Sequence, residues 1–132
     1  MDFIDISKKR FTCRRFSDRP VEEEKLRLIL EAGRWSPTAV NLQPQRILVL
    51  DSAESLDKVR QFCCFGYDQK YVDLTKECDD SANGRINFYY GAPLVLLVAY
   101  DSTACWIHPQ SGHSSGATDA TIVATHMMLE AA

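Results

Sequence analysis

Two stretches of this 132-residue sequence carry side chains that can do chemistry, and the first is a basic segment, residues 9–16. Arg10, Thr12 and Arg14 alternate along it, so an extended backbone projects all three side chains on the same side. Two guanidiniums and a hydroxyl suit a phosphate or another anionic group. The alternative interpretation is a basic patch that only solvent contacts.

The second stretch is the proline loop, residues 36–44, which reads SPTAVNLQP. Its prolines restrict the backbone, and its amide and hydroxyl groups offer hydrogen bonds from a fixed surface. An ordinary turn is the alternative. Together, an anion-binding segment and a rigid polar loop are what a phosphorylated planar cofactor needs.

Regular elements are predicted on both sides of the proline loop. Apolar side chains at helical spacing predict a helix over residues 21–32, with glutamates in its first turn and stop signals at Gly33 and Pro37. The aliphatic run at residues 46–50 predicts a strand.

A second helix is predicted directly after this strand. Ser52 can cap a helix over about residues 53–63. Leu56, Val59 and Cys63 share one face of it, which indicates that Cys63 is a small core residue.

The second half of the chain contains the most apolar stretch. Residues 93–100, PLVLLVAY, are typical of a central strand covered on both faces, with Pro93 at its first position. Residues 66–84 lack a clear period and predict a long excursion or short irregular helices.

A final helix is predicted near the end of the chain. A polar loop over residues 101–118 leads to Asp119, which can cap a helix in which Ile122, His126 and Leu129 share a face. We expect His126 to be a packed residue of that helix.

Composition and charge exclude several classes of protein. Fifteen lysines and arginines against eighteen aspartates and glutamates give a net charge of −3, without the basic excess that nucleic acids or anionic membranes require. The longest apolar run, residues 92–100, is shorter than the roughly 20 residues that cross a bilayer as a helix. Five irregularly spaced cysteines and no export signal indicate a reducing compartment. We therefore expect a cytoplasmic protein with no nucleic acid and no membrane among its partners.

Mixed helices and strands predict the fold class. Without a regular β-α-β rhythm or a glycine-rich phosphate loop, the pattern favours a single α+β domain over residues 1–132 rather than a dinucleotide-binding fold. The last predicted helix has no glycine, proline or basic residue to end it. We therefore expect the domain to be incomplete at its C-terminal end.

Five separated features resemble the nitroreductase family of flavin mononucleotide (FMN) enzymes. They are the RFTCRRF motif, the VEEEKLRLILEAGRWSP helix, the SPTAVNLQP loop, the GAP sequence before the second strand, and the helix that begins DATI. Their order covers nearly the whole chain, although each motif is weak alone. The resemblance implies a nitroreductase-like sandwich with helices flanking a central, mostly antiparallel sheet. It also implies a homodimer with FMN at the interface.

The resemblance implies roles for the basic segment. Arg10 and Arg14 are similar to the family's ligands of the FMN phosphate and of the polar edge of the flavin. Thr12 adds a hydroxyl on the same face, and Phe11 contributes mainly its backbone.

The resemblance also implies roles for the proline loop. Pro37, Thr38 and Ala39 are similar to residues that approach the flavin ring from the partner subunit. Asn41 is similar to a residue whose amide hydrogen-bonds the cofactor, and Gln43 is a weaker candidate.

The implied activity is that of a flavoprotein oxidoreductase. NAD(P)H reduces the flavin, which then passes the electrons to nitroaromatic, quinone or related acceptors, and no side chain need act as a nucleophile or base. The alternative is a noncatalytic or truncated binding module that keeps the fold without a competent flavin site.

The loop over residues 101–118 carries two weaker signals. Cys105 with His108 and His113, helped by Cys78, could form a zinc site, but the spacing is incomplete and ordinary loop residues are favoured. Trp106 could cover the flavin or anchor the loop to the core.

Overall fold

The computed structural model describes residues 2–63 and 89–132, apart from the side chains of residues 60–63. Four helices and two strands occupy these ranges, in the order α1 (Phe3–Lys9), α2 (Glu23–Arg34), β1 (Gln45–Leu50), α3 (Ala53–Cys63), β2 (Val95–Tyr100) and α4 (Gly116–Glu130). None of the described helices is long and apolar enough to cross a membrane. The α+β class is confirmed, and the excursion predicted for residues 66–84 lies outside the described ranges.

The chain divides into two compact units. The first comprises Met1–Phe11, Glu22–Leu48 and Leu96–Ala132, and the second comprises Thr12–Val21 and Val49–Val95. Helices α1, α2 and α4 belong to the first unit, and α3 belongs to the second.

The described sheet pairs β1 with β2. The strands are antiparallel, because the Pro44 carbonyl just before β1 accepts a 2.9 Å hydrogen bond from the Asp101 N–H just after β2. Strand β2 begins later than predicted, since Pro93 follows a turn in which the Ala92 N–H donates to the Tyr89 carbonyl. Leu97 is 41% exposed, so the prediction that β2 is covered on both faces is wrong for the described residues.

Helix α2 packs against α4 through a glycine. Gly33 is predicted as a stop signal but lies inside α2, which continues to Arg34. A Cβ atom on Gly33 would lie 2.8 Å from the Met127 sulfur and 3.2 Å from Ile47 Cδ1. The glycine therefore serves the close approach of α4 and β1 rather than the end of the helix.

Helix α3 follows the prediction closely. It spans Ala53–Cys63, and the Ser52 hydroxyl oxygen accepts a 3.2 Å hydrogen bond from the Ser55 N–H as an N-cap. The predicted core role of Cys63 lies outside the described side chains.

Helix α4 begins earlier than predicted and buries a different face. It starts at Gly116, so Asp119 lies within its first turn and is not its cap. Its buried residues are Gly116, Asp119, Val123 and Met127. Ile122, His126 and Leu129 share one face of α4 as predicted, but His126 is exposed, so the expectation that it is a packed residue is wrong. A glycine is needed at Gly116, since an added Cβ would overlap the Tyr100 ring and approach the Cys105 sulfur to 2.6 Å.

Candidate functional site

The proline loop connects α2 to β1 and is fixed at both ends. Ser36 is buried, and its hydroxyl donates to the Ala32 carbonyl of α2 at 3.1 Å. Pro44 is also buried at the start of β1. Between them, Val40 and Asn41 are exposed. The loop therefore presents its middle residues to solvent from two rigid ends.

The middle of the proline loop has an unusual backbone. Val40, Asn41 and Gln43 have φ angles of 52°, 56° and 53°. Left-handed backbone is unfavourable for residues other than glycine, and most of all for a β-branched residue such as Val40. Such a conformation persists only where surrounding contacts hold it.

Side-chain hydrogen bonds inside the loop supply part of this support. Thr38 Oγ1 accepts from the Gln43 backbone N–H at 3.1 Å and from Gln43 Nε2 at 3.2 Å. Gln43 Nε2 also donates to Asn41 Oδ1 at 2.8 Å. Within the described residues, the side-chain nitrogen Nδ2 of Asn41 makes no hydrogen bond. The network therefore uses the Asn41 oxygen and leaves its N–H₂ group available to a ligand.

A contact from α4 holds the loop from outside. Asp119 is only 3% exposed. Its Oδ1 accepts a 2.9 Å hydrogen bond from the Ala39 N–H, and its Oδ2 accepts a 2.7 Å hydrogen bond from the Ser115 hydroxyl. Sequence reasoning missed this role, although an acidic residue on a helix face that also carries Val123 was a usable signal.

A cavity lies where the proline loop meets α4. Its volume is about 390 Å³, and it is lined by Pro37, Thr38, Ala39, Trp106, His113, Ser115, Thr118, Asp119 and Ile122. Trp106 borders this cavity while its ring also meets His108 edge to face, with ring centroids 5.5 Å apart. The site therefore combines three of the predicted loop residues with a mainly apolar wall.

The loop that supplies Trp106 is held by its own hydrogen bonds. The Thr103 hydroxyl and backbone N–H both donate to Asp101 Oδ1, at 2.6 and 2.9 Å, and hold the pKa of Asp101 below its ordinary value. The Cys105 thiol donates to the Asp101 carbonyl, and His108 Nδ1 accepts from the backbone N–H of Ser111.

Three of the residues considered as zinc ligands, Cys105, His108 and His113, lie in this loop. Over residues 2–63 and 89–132, no group of histidine, cysteine and acidic residues is gathered closely enough to hold a metal ion. Cys78 lies outside the described ranges.

The basic segment is distributed over both units. Arg10 and Phe11 belong to the first unit, and Thr12 and Arg14 belong to the second. Phe11 is 75% exposed, and Arg14 is exposed as well. In the part of the chain that the structure describes, neither Arg10 nor Arg14 forms an ion pair.

The structure brings some of the predicted site residues together and not others. Pro37, Thr38 and Ala39 line one cavity, and Asn41 lies in the same loop. The described contacts therefore bring three residues of the proline loop to one cavity, and the cofactor roles of both the loop and the basic segment stay predictions.

Comparison with known proteins identifies the family to which this architecture belongs. The described helices and strands form an α+β protein in which helices pack beside an antiparallel sheet, and the proline loop joins a helix to that sheet. The profile of the nitroreductase family matches residues 7–132. The chain belongs to the nitroreductase family.

Solved structures and curated proteins agree with this assignment. A nitroreductase family protein from Clostridium difficile 630 is 34% identical, with a TM-score of 0.78 over 99% of this chain and 62% of that chain. A nitroreductase with bound FMN from Desulfitobacterium hafniense is 25% identical, with a TM-score of 0.75 over 99% of this chain and 65% of that chain. The Bacillus subtilis protein named "Putative NAD(P)H nitroreductase YdgI" is 35% identical over 52% of this chain and 33% of its own length. The chain thus spans less than two thirds of the length of these proteins.

Proposed function

We propose that the protein is an FMN-dependent oxidoreductase that passes electrons from NAD(P)H to nitroaromatic, quinone or related acceptors. Similar structures with FMN come from Desulfitobacterium hafniense and from Desulfovibrio desulfuricans, the latter 26% identical to this chain. The name of the Bacillus subtilis relative includes NAD(P)H, which is the reductant that we propose. When bound, FMN would supply the hydride and electron transfer between the two substrates.

The side-chain nitrogen Nδ2 of Asn41, which has no hydrogen-bond partner among the described residues, is the observation that carries this proposal. A flavin presents carbonyl oxygens and ring nitrogens along its polar edge, and these groups accept hydrogen bonds. Because Asn41 Oδ1 accepts a hydrogen bond from Gln43, the group that the Asn41 side chain can offer to a ligand is its N–H₂ donor. Pro37, Thr38 and Ala39 stand beside it and form one wall of the cavity. The donor set of the proline loop therefore fits FMN.

The basic segment fits the phosphate of the same cofactor. Arg10 and Arg14 have no carboxylate partner among the described residues, so their guanidiniums are available to an anion. A guanidinium binds phosphate through paired, charge-assisted hydrogen bonds. An arginine beside the polar edge would also stabilise negative charge that develops there. Thr12 adds a hydroxyl donor, and the Phe11 backbone adds a further contact.

We further propose that the protein acts as a homodimer in which the proline loop of one subunit meets FMN held by the basic segment of the other. The exposed apolar side chains of the first unit support an interface. Trp35 is 78% exposed and Val40 is 73% exposed, and both lie in or next to the proline loop. Exposed apolar surface concentrated in one segment is a feature of interaction sites.

Reconstitution with FMN tests the proposal. Purified protein mixed with FMN and freed of excess cofactor should be yellow and should oxidise NADH or NADPH when a nitroaromatic or quinone is added. Riboflavin, which lacks the phosphate, serves as the matched ligand and should bind at least about tenfold more weakly.

The outcomes separate the proposal from its alternative. Protein that retains FMN without oxidising a reduced nicotinamide would favour the noncatalytic binding module. Protein that binds neither flavin would overturn the proposal altogether.

A further inference from the structure

We infer that Asp119 is a positioning residue that holds the proline loop in the conformation in which Asn41 can reach the cofactor. The inference rests on the proposed function, because it assigns a purpose to the loop's conformation. Asp119 lies in α4, whereas the loop precedes β1, so the contact joins two separate elements.

The hydrogen bonds of the loop identify Asp119 as its external support. Most hydrogen bonds of residues 37–43 join residues within the loop or link the loop to Arg46 in β1. Within the described ranges, the bond from the Ala39 N–H to Asp119 is the one that reaches another helix. Ala39 directly precedes the left-handed residues Val40 and Asn41. Fixing its amide therefore fixes the point at which the backbone enters its unfavourable conformation.

Donors from two different elements satisfy the buried carboxyl group of Asp119. A carboxyl group that is 97% removed from solvent needs hydrogen-bond donors, and Asp119 has one for each oxygen, from Ala39 and Ser115. Its place in the first turn of α4 adds the favourable field of the helix N-terminus. Ser115 satisfies Oδ2 at the start of α4, and the Ala39 amide satisfies Oδ1, so the second bond is the one that ties the carboxylate to the proline loop.

Asp119 acts through the loop and not on a ligand directly. It lines the cavity, and each of its oxygens already accepts a hydrogen bond from the protein. A ligand in the cavity would meet the loop residues that Asp119 orients.

Amide hydrogen exchange at Ala39 tests the contact without any flavin. Asp119→Ala should lower the protection of the Ala39 amide by at least about tenfold, because its acceptor is removed. Asp119→Asn should retain most of the protection, since the asparagine oxygen can accept from Ala39 while its amide donates to Ser115. Val123→Ala is the matched control, because it weakens the same buried face of α4 and removes no hydrogen-bond acceptor.

FMN affinity tests the positioning role with the same variants. Asp119→Ala should weaken FMN binding at least about tenfold, whereas Asp119→Asn and Val123→Ala should stay within about threefold of the unmodified protein. Unchanged Ala39 protection, or unchanged FMN affinity in Asp119→Ala, overturns the inference while the proposed function stands. An equal loss of affinity in Val123→Ala also overturns it, since general destabilisation then suffices. If the unmodified protein binds no FMN, the proposed function itself fails.

Discussion

Arg10 and Arg14 carry the phosphate contact in the proposed site, and truncation of either should weaken FMN binding. Each guanidinium lost removes a charge-assisted hydrogen bond, which is worth about 1.5 to 3 kcal/mol where the bound ligand shields it from water. Fluorescence titration of FMN measures the change. Arg15→Ala is the control, because Arg15 carries the same charge and is exposed like Arg14 but has no predicted contact with FMN. Equal affinities in all three variants would place the phosphate elsewhere.

Val40 is the residue whose backbone conformation least suits its side chain. It has a φ of 52° and is 73% exposed, so Val40→Asn removes the conflict with little loss of packing. Asparagine tolerates left-handed backbone, and the free energy of unfolding should rise by about 1 kcal/mol in urea titration. Leu42→Asn is the matched control, because Leu42 is also exposed but has a φ of −74°. A comparable gain at Leu42 would remove the conformational explanation.

At the level of the elements, the contact between α2 and α4 depends on Gly33. In Gly33→Ala, the added Cβ overlaps buried Met127, which costs about 1 to 3 kcal/mol. The better helix propensity of alanine recovers up to about 1 kcal/mol. The free energy of unfolding should therefore fall by about 1 kcal/mol, measured by urea denaturation.

A double variant separates the overlap from other effects of Gly33→Ala. In a Met127→Ala background the space is open, so adding alanine at Gly33 should be neutral or stabilising. The same loss in both backgrounds would show that the close approach to Met127 is not the cause.

Local signals predicted some elements well and failed where distant contacts decide. Strand β1 and helix α3 follow from an aliphatic run and from the Ser52 cap, which act within a few residues. Gly33 and Asp119 were misassigned for the same reason. Each carries a familiar local signal, a stop and a cap, yet each is used for a contact with another element. The acidic residue on an apolar helix face indicates burial of Asp119, but nothing in the neighbouring sequence identifies the distant partners of Gly33 and Asp119.

The candidate site also combines features that the sequence predicts with features that it does not. The proline loop was predicted because its prolines and amides stand together in the sequence. Its left-handed backbone at Val40 and Gln43 was not predicted, since neither residue type favours that conformation. The interpretation of Arg10 and Arg14 as phosphate ligands stays a prediction, as do the single domain and its incompleteness.

At the level of the whole molecule, the proposed composite site can be tested by mixing two defective proteins. Arg14→Ala and Asn41→Ala homodimers should each bind FMN weakly. After subunit exchange, a heterodimer regains one intact site, so about a quarter of the normal number of sites should recover at random pairing. Equilibrium dialysis with FMN counts the sites. If exchange is demonstrated and no binding returns, the site lies within one chain.

The hydrogen bond between Ala39 and Asp119 also bears on when the site forms during synthesis of the chain. Its partners are 80 residues apart, and at about 5 to 20 residues per second roughly 4 to 16 seconds separate their synthesis. A nascent chain therefore carries the complete proline loop well before it carries the acceptor that holds it. Cofactor capture in the proposed site is then a late step of maturation, which follows the synthesis and docking of α4.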